Sequence, residues 1–181
     1  MSIYSDVLVK YRQIINIRTE LKFYFTPNTV LEEAMYCKKV DFLPLIPEEL
    51  IDDLPTIKSR GNQYKPEDEH TYSSFVVSPE LESYLQSFFD TPIKARYQYI
   101  IDQLPIHLDE GGSHIKYNYL LTTGGKHVTT RWWDSLQNPQ EIIYEIEPQT
   151  HVWYELTVNV PHDISPVESY RLSVVIYFPA D

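Results

Sequence analysis

From residue 93 to its C-terminus the chain is a succession of short β-rich runs divided by turn residues, and this pattern limits the fold more than any other feature. The runs are rich in β-branched and aromatic residues, which fit the half-buried surface of a sheet. Gly, Asn and Pro separate them, as is typical of antiparallel strands. About seven or eight such strands predict a mainly β fold, a double-sheet jelly roll. The predicted strands cover residues 93–101, 105–109, 114–121, 127–133, 141–146, 152–160 and 169–178.

Helix signals are confined to the first half of the chain, so we expect the helices to flank the β core. Apolar residues at offsets of three and four predict a helix over 5–23, and Ser78 followed by Pro79 predicts one reaching about residue 89. The length suits one domain over 1–181, with a helical part over about 1–70 and a β core over about 72–178. The remaining predicted elements are a helix over 30–35, a strand over 40–43, a helix opening at 46–51, a strand over 72–77 and a polar loop over 58–70.

Cysteine usage and hydropathy indicate a cytoplasmic protein. Cys37 is the only cysteine, so neither an intrachain disulfide nor a cysteine-based zinc site can form. The N-terminus lacks a basic segment followed by an apolar run, and no stretch is long and apolar enough to span a membrane. We therefore expect neither secretion nor a membrane partner.

The formal net charge of −11 is unevenly distributed. Residues 1–66 carry nine basic and nine acidic residues, whereas residues 67–181 carry six basic and seventeen acidic ones. Binding to a phosphate backbone depends on Lys and Arg displacing counterions, which the second half offers sparsely. A nucleic-acid partner is therefore not expected.

The run Pro105-Ile106-His107-Leu108-Asp109 carries the first chemical signal. On a strand, His107 and Asp109 share one face while the apolar residues beside them share the other. An imidazole beside a carboxylate suits a divalent iron-type ion, provided that a second histidine completes a facial triad. The sequence therefore has to supply that histidine.

His162 is the strongest candidate for the second ligand. It ends an apolar run and is followed nine residues later by Arg171-Leu172-Ser173. On a strand Arg171 and Ser173 face the same way, and together they can hold a carboxylate by a charge-assisted pair and a hydrogen bond. His70 lies in the polar loop. The other histidines begin predicted strands: His114, His127 and His151.

The order of these motifs resembles the Fe(II)/2-oxoglutarate-dependent oxygenases, with a His-x-Asp, a distal His, and an Arg-x-Ser about ten residues further on. The resemblance covers about 72–178 and is closest to the small single-domain oxygenases of bacteria and phages. It implies a double-stranded β-helix, the cupin-like form of the jelly roll. It also implies Fe(II) held by His107, Asp109 and His162, and 2-oxoglutarate with its far carboxylate on Arg171 and Ser173.

The resemblance further implies a hydroxylation that consumes O2 and releases succinate and CO2. Asn118 and Tyr99 are candidates for further contacts to the 2-oxo acid, since both lie on strands flanking the His-Leu-Asp run. Tyr97 and Tyr119 are alternatives from the same strands, because the sequence does not determine which way they face.

Two other classes of function stay open. One is a non-catalytic jelly roll that serves in binding or structure. The other is a different metal-dependent cupin-type enzyme using His107, His114 and His162, although the His-x-His and downstream Glu of that pattern are absent. Arg171 separates the classes, because only an oxygenase of this type needs it for the oxo acid.

The substrate is expected to be a small molecule, an amino acid or a peptide residue. The nucleic-acid demethylases of the same superfamily add a second arginine soon after the first, and no Lys or Arg follows Arg171. The loops 58–70 and 134–141 are expected to set the choice of substrate. The oligomeric state is left open.

Overall fold

A computed structural model describes residues 35–61, 71–109 and 114–179 of the chain. Three predicted segments lie wholly or mostly outside these residues: the helix over 5–23, the helix over 30–35 except for residue 35, and the 58–70 loop. No helix in the described ranges is long and apolar enough to cross a membrane. The strands are β1 (Cys37–Lys39), β2 (Tyr72–Val76), β3 (Lys94–Ile100), β4 (Leu104–His107), β5 (Ile115–Thr122), β6 (Thr130–Trp133), β7 (Ile142–Ile146), β8 (Trp153–Thr157), β9 (His162–Ile164) and β10 (Arg171–Tyr177).

These strands form two antiparallel sheets, as a jelly roll requires. The larger sheet has six strands in the order β1-β8-β5-β10-β3-β2, and the smaller has four in the order β4-β9-β6-β7. Strands adjacent in a sheet are mostly distant in sequence, so β10 at the C-terminal end lies between β3 and β5. The mainly β, jelly-roll fold class is confirmed.

The two faces of the six-stranded sheet carry different side chains. We call the face toward the four-stranded sheet the inner face; on β10 it carries Arg171, Ser173 and Val175, because Arg171 reaches Thr130 of β6. The outer face carries the residues of β10 that alternate with these three. They belong to a large hydrophobic core that also contains Leu81, a residue of the helix over 79–86. Polar groups therefore enter the space between the sheets while the outer face packs against helices.

In the described part of the chain, three helical segments pack against the outer face: α1 (Leu54–Ser59), α2 (Pro79–Gln86) and the 3-10 turn Glu48–Leu50. The predicted start of α2 is confirmed, since the Ser78 Oγ accepts the Leu81 backbone N–H at 3.2 Å and proline follows the cap. Buried Leu81 and Leu85 on one side of α2 then fasten it to the sheet.

Three predictions of local structure were wrong. The strand expected over 40–43 lies at Cys37–Lys39, where pairing with β8 along the sheet edge outweighs the apolar pattern. The helix opening at 46–51 is only one 3-10 turn, because its continuation would place Pro55 in a helix interior; the chain instead starts α1 at Leu54. The proline-flanked segment 161–166 lies between the predicted strands 152–160 and 169–178, where only a connection is expected, and it contains β9.

Gly124 anchors the loop that leads into β10. Its φ is +90°, and an added Cβ would lie 2.8 Å from the Val167 Cβ. We expect Gly124→Ala to lower the free energy of unfolding by about 3 kcal/mol, through backbone strain and overlap together. Gly61 also has a positive φ, of +77°, but no atom lies within 4 Å of its added Cβ, so Gly61→Ala should cost only about 1 kcal/mol. Urea unfolding measures both, and equal losses would contradict the steric argument.

Candidate metal centre

Two histidines meet on neighbouring strands of the smaller sheet. β4 and β9 pair antiparallel with His107 opposite His162, and their ring centroids are 4.3 Å apart. Both rings therefore lie on the same side of the sheet, as direct cross-strand partners do.

Asp109 joins the pair from the segment that follows β4. Its carboxylate oxygens lie 3.6 Å from His107 Nε2 and 3.8 Å from His162 Nε2. One ligand atom from each residue lies within 4.8 Å of the others. The predicted strand over 105–109 was too long, because β4 ends at His107 and the Asp109 N–H instead donates to the Val158 carbonyl at 3.2 Å.

The tautomers of the two histidines leave the same nitrogen free on each ring. His107 Nδ1 lies 2.8 Å from the Pro105 carbonyl oxygen, and His162 Nδ1 lies 2.9 Å from that of Val160. Because a carbonyl only accepts, each Nδ1 carries the proton and each Nε2 presents a lone pair toward Asp109. This backbone support is the arrangement that orients metal-binding histidines, and the donor set fits an iron-type divalent ion.

The electrostatics keep these donors in the form that binds metal. Burial lowers the pKa of His162 to about 4, with a contribution from the neighbouring His107, so its ring is neutral near pH 7. Burial by itself raises the pKa of Asp109, but the adjacent His107 ring and the charge of Lys116 outweigh it and hold that pKa well below its usual range. Lys116 Nζ lies 2.6 Å from Asp109 Oδ2.

The lowered pKa of His162 predicts acid sensitivity of the metal-free protein. Between about pH 6.5, its ordinary pKa, and about pH 4, the unfolded chain binds a proton that the folded chain does not. Stability therefore falls as the pH falls through this window, by about 3 kcal/mol in total. Asp109 adds to the loss only below its ordinary pKa of 3.8. Urea unfolding at a series of pH values measures the slope. His162→Gln should flatten it between pH 6.5 and 4, and an unchanged slope would contradict the assignment.

Arg171 is a buried cation with unused donors. It is 2% exposed, and its Nη2 donates to Thr130 Oγ1 at 3.1 Å. Its Nε and Nη1 are buried without a hydrogen-bond partner, and none of the ion pairs between described residues includes it. Burial lowers its pKa to about 10, so it remains charged at neutral pH. A buried cation without a counter-charge is costly, so the arrangement fits an anionic ligand.

Ser173 and Asn118 lie on the same inner face as Arg171. Ser173 is 1% exposed, and its hydroxyl donates to Gln98 Oε1 at 3.4 Å. Asn118 is opposite Val175 on the neighbouring strand β5, and directly paired residues face the same side. The structure thus brings three of the four predicted cofactor-binding residues to one face.

Tyr99 is the exception and needs correction. It is opposite Leu172, on the outer face, where its hydroxyl accepts from Lys58 Nζ at 3.2 Å. Successive side chains of a strand point to opposite faces. Because Gln98 points inward, its neighbour Tyr99 points outward. The alternatives also leave the site, since Tyr97 bonds Asp52 and Tyr119 contacts His151.

Sequence reasoning did not include Thr130, Gln98 or Lys116 in the site. Lys116 could have been found, because it lies two residues before Asn118 and shares its face on a strand. Thr130 could not, since only the packing of the two sheets brings it to Arg171. Among the described residues, only His107, Asp109 and His162 form a group that could hold a metal ion. His70 lies outside the described residues, and His114, His127 and His151 are not in that group.

Comparison with known proteins gives structural likeness only. No family model and no curated protein matches the chain. A Pseudomonas putida prolyl-4-hydroxylase has a similar structure, with a TM-score of 0.54 and 14% identity over 84% of this chain and 97% of that one. A Burkholderia pseudomallei oxidoreductase of the 2OG-Fe(II) oxygenase family matches with a TM-score of 0.46 and 11% identity, over 86% of this chain and 91% of that one. At such identity the first likeness shows a shared fold, in agreement with the predicted jelly roll.

Proposed function

We propose that this chain is an Fe(II)- and 2-oxoglutarate-dependent oxygenase. It would hydroxylate a small molecule, an amino acid or a peptide residue: a substrate C–H, O2 and 2-oxoglutarate become C–OH, succinate and CO2. The observation that carries the proposal is the pairing of two groups that neither alternative class requires together. One is the cluster of His107, Asp109 and His162, and the other is Arg171 with two buried donors unused.

The residues have separate tasks in this reaction. His107, Asp109 and His162 would hold the iron on one side, which leaves its remaining positions to the cosubstrates. Arg171 would hold the far carboxylate of 2-oxoglutarate, with Ser173 beside it on the same face of β10. When bound, the iron and the oxo acid supply the oxidising chemistry, while the protein supplies position and polarity.

Lys116 contributes a positioning role. Its ammonium lies 2.6 Å from one oxygen of Asp109, which holds the carboxylate in place and keeps it ionised. The neighbouring apolar core around Trp132, which is 0% exposed, limits the access of water to His162 from the side of β6. The structural likeness to a prolyl-4-hydroxylase agrees with the proposal, since that protein is named for a hydroxylase.

The direct test of activity needs no knowledge of the substrate. The fate of 2-oxoglutarate can be followed on its own, so metal-free protein is incubated in air with Fe(II), ascorbate and 2-oxoglutarate labelled at carbon 1. We expect labelled CO2 release that depends on Fe(II) and is lost in Asp109→Ala. Iron binding without any release, or release that is equal in Asp109→Ala, would count against the proposal.

A further inference from the structure

The basic residues of the acidic half of the chain are concentrated on one face. Residues 67–181 contain only six Lys and Arg against seventeen Asp and Glu. The register of the strands places four of these six cations on the inner face of the six-stranded sheet, the face that also carries Val175. They are Lys94, Arg96, Lys116 and Arg171. A face lined by one sign of charge, in a protein of the opposite sign, attracts anions into the cleft that it borders.

Arg96 is a second arginine on this face that has no ion pair among the described residues. It is partly buried, and its Nε donates to the Tyr177 hydroxyl at 3.4 Å. Its Nη1 is buried, with no hydrogen-bond partner in the described part of the chain, and no ion pair there includes Arg96. The proposed roles of the metal ligands and of Arg171 leave this second guanidinium unexplained.

Arg96 lies on the metal side of the inner face. It is opposite Val175, which is also opposite Asn118. Neighbouring strands are about 4.8 Å apart, so the backbone of Arg96 is about 10 Å from that of Asn118. Lys116, two residues from Asn118 on the same face, contacts the metal ligand Asp109. Arg96 therefore shares its face with the lysine that contacts the metal centre, two strands away.

The same register separates Arg96 from the proposed oxo-acid site. Arg171 is opposite Ile100, four residues from Arg96 along β3, which corresponds to about 13 Å of strand. With its far carboxylate on Arg171 and its other end on the metal, one molecule of 2-oxoglutarate leaves Arg96 free. Its buried Nη1 therefore requires an acceptor other than that molecule.

We propose that Arg96 and the Tyr177 hydroxyl bind a carboxylate of the primary substrate, which is therefore a carboxylic acid. The inference rests on the proposed function and narrows its substrate class. A planar guanidinium beside a single hydroxyl matches the two oxygens of a carboxylate. The sequence offers no Gly-rich loop of the kind that cradles a phosphate, which favours a carboxylate over a phosphate ester.

Acetate serves as the probe, and Mn(II) as a paramagnetic substitute for Fe(II). The full chain is loaded with Mn(II) and saturating 2-oxoglutarate, and the relaxation of 13C-labelled acetate is measured as its concentration is raised. We expect saturable relaxation by the bound metal in the wild type. Arg96→Met should weaken acetate binding about tenfold or more, because a charge-assisted hydrogen bond is lost. Arg96→Lys should keep part of the affinity, and neutral acetamide should show no saturable effect.

Lys38→Met is the matched control, because it removes one positive charge from the outer face of the same sheet, where Lys38 forms an ion pair with Glu155. It should leave acetate binding unchanged. Equal acetate binding in Arg96→Met, no acetate binding in the wild type, or weakened binding of labelled 2-oxoglutarate in Arg96→Met would each overturn the substrate subsite. In these three cases Mn(II) and 2-oxoglutarate still bind the wild type. Failure of the wild type to bind them would overturn the proposed function and this inference with it.

Discussion

His162→Ala is expected to weaken Fe(II) binding by about a hundredfold or more. Changes in the residues that merely orient ligands already cost tenfold to about a hundredfold, so loss of a ligand should cost at least as much. His162 is the most buried of the three proposed ligands. Its ring is neutral, with Nδ1 bonded to the backbone and Nε2 directed toward the carboxylate of Asp109. Anaerobic equilibrium dialysis of the metal-free protein against Fe(II) measures the affinity.

The matched control for this experiment is His114→Ala. His114 immediately precedes β5 and is not part of the metal-binding group of described residues, so its loss should leave the Fe(II) affinity within about twofold of wild type. His107→Ala gives a second ligand variant at a more exposed position, 28% for the side chain, where folding is less disturbed. Equal iron affinity in wild type and both ligand variants would refute the triad. Loss of iron in His114→Ala would instead favour a cupin-type site.

Arg171→Met is expected to leave Fe(II) binding intact and to weaken 2-oxoglutarate binding by about a hundredfold. Two charge-assisted hydrogen bonds to a carboxylate account for a loss of this size. The same change should leave the metal-free protein as stable as wild type or more stable, because it removes a buried charge that has no counter-ion. Isothermal titration of 2-oxoglutarate into the anaerobic Fe(II) protein and urea unfolding measure the two effects.

Arg131→Met provides the contrast. Arg131 forms a two-point ion pair with Asp163 on the neighbouring strand, with its Nε 2.8 Å from Oδ1. Its removal leaves a buried carboxylate unpaired, so it should destabilise the fold while leaving 2-oxoglutarate affinity unchanged. If Arg171→Met destabilised the metal-free protein as much as Arg131→Met and bound 2-oxoglutarate normally, Arg171 would be a structural residue.

The sequence was most informative where polar residues interrupt apolar strands. His107, Asp109 and Arg171 could be singled out because a buried charge or imidazole requires a partner, and their spacing resembled a known pattern. The β class followed from strand-length runs and turn residues, which depend on local chemistry.

What the sequence could not supply was the pairing of distant strands. The inward position of Asn118 and the outward position of Tyr99 both depend on the register of β10 with β5 and β3, and a shift of one residue would exchange the faces. β9 escaped detection for the same reason. It is three residues long between prolines, and only its pairing with β4 and β6 makes it a strand.

The contact of Lys116 with Asp109 joins a strand of the larger sheet to the segment that follows β4 of the smaller one, and it likewise depends on packing. The environment of Arg96 also depends on packing. That its Nη1 is buried without a partner can be seen only when β3 is paired with β10. The chemistry of individual residues can thus be read from the sequence, while their convergence depends on tertiary structure.

The central claim is that one site binds both Fe(II) and 2-oxoglutarate. The most direct measurement is an anaerobic titration of the metal-free protein with Fe(II) and then with 2-oxoglutarate, monitored in the visible region. Chelation of a 2-oxo acid to Fe(II) gives a weak charge-transfer band, and we expect this band in the wild type, reduced in Arg171→Met and unchanged in Lys38→Met. Iron binding without the band, or a band of equal affinity in Arg171→Met, would contradict the account.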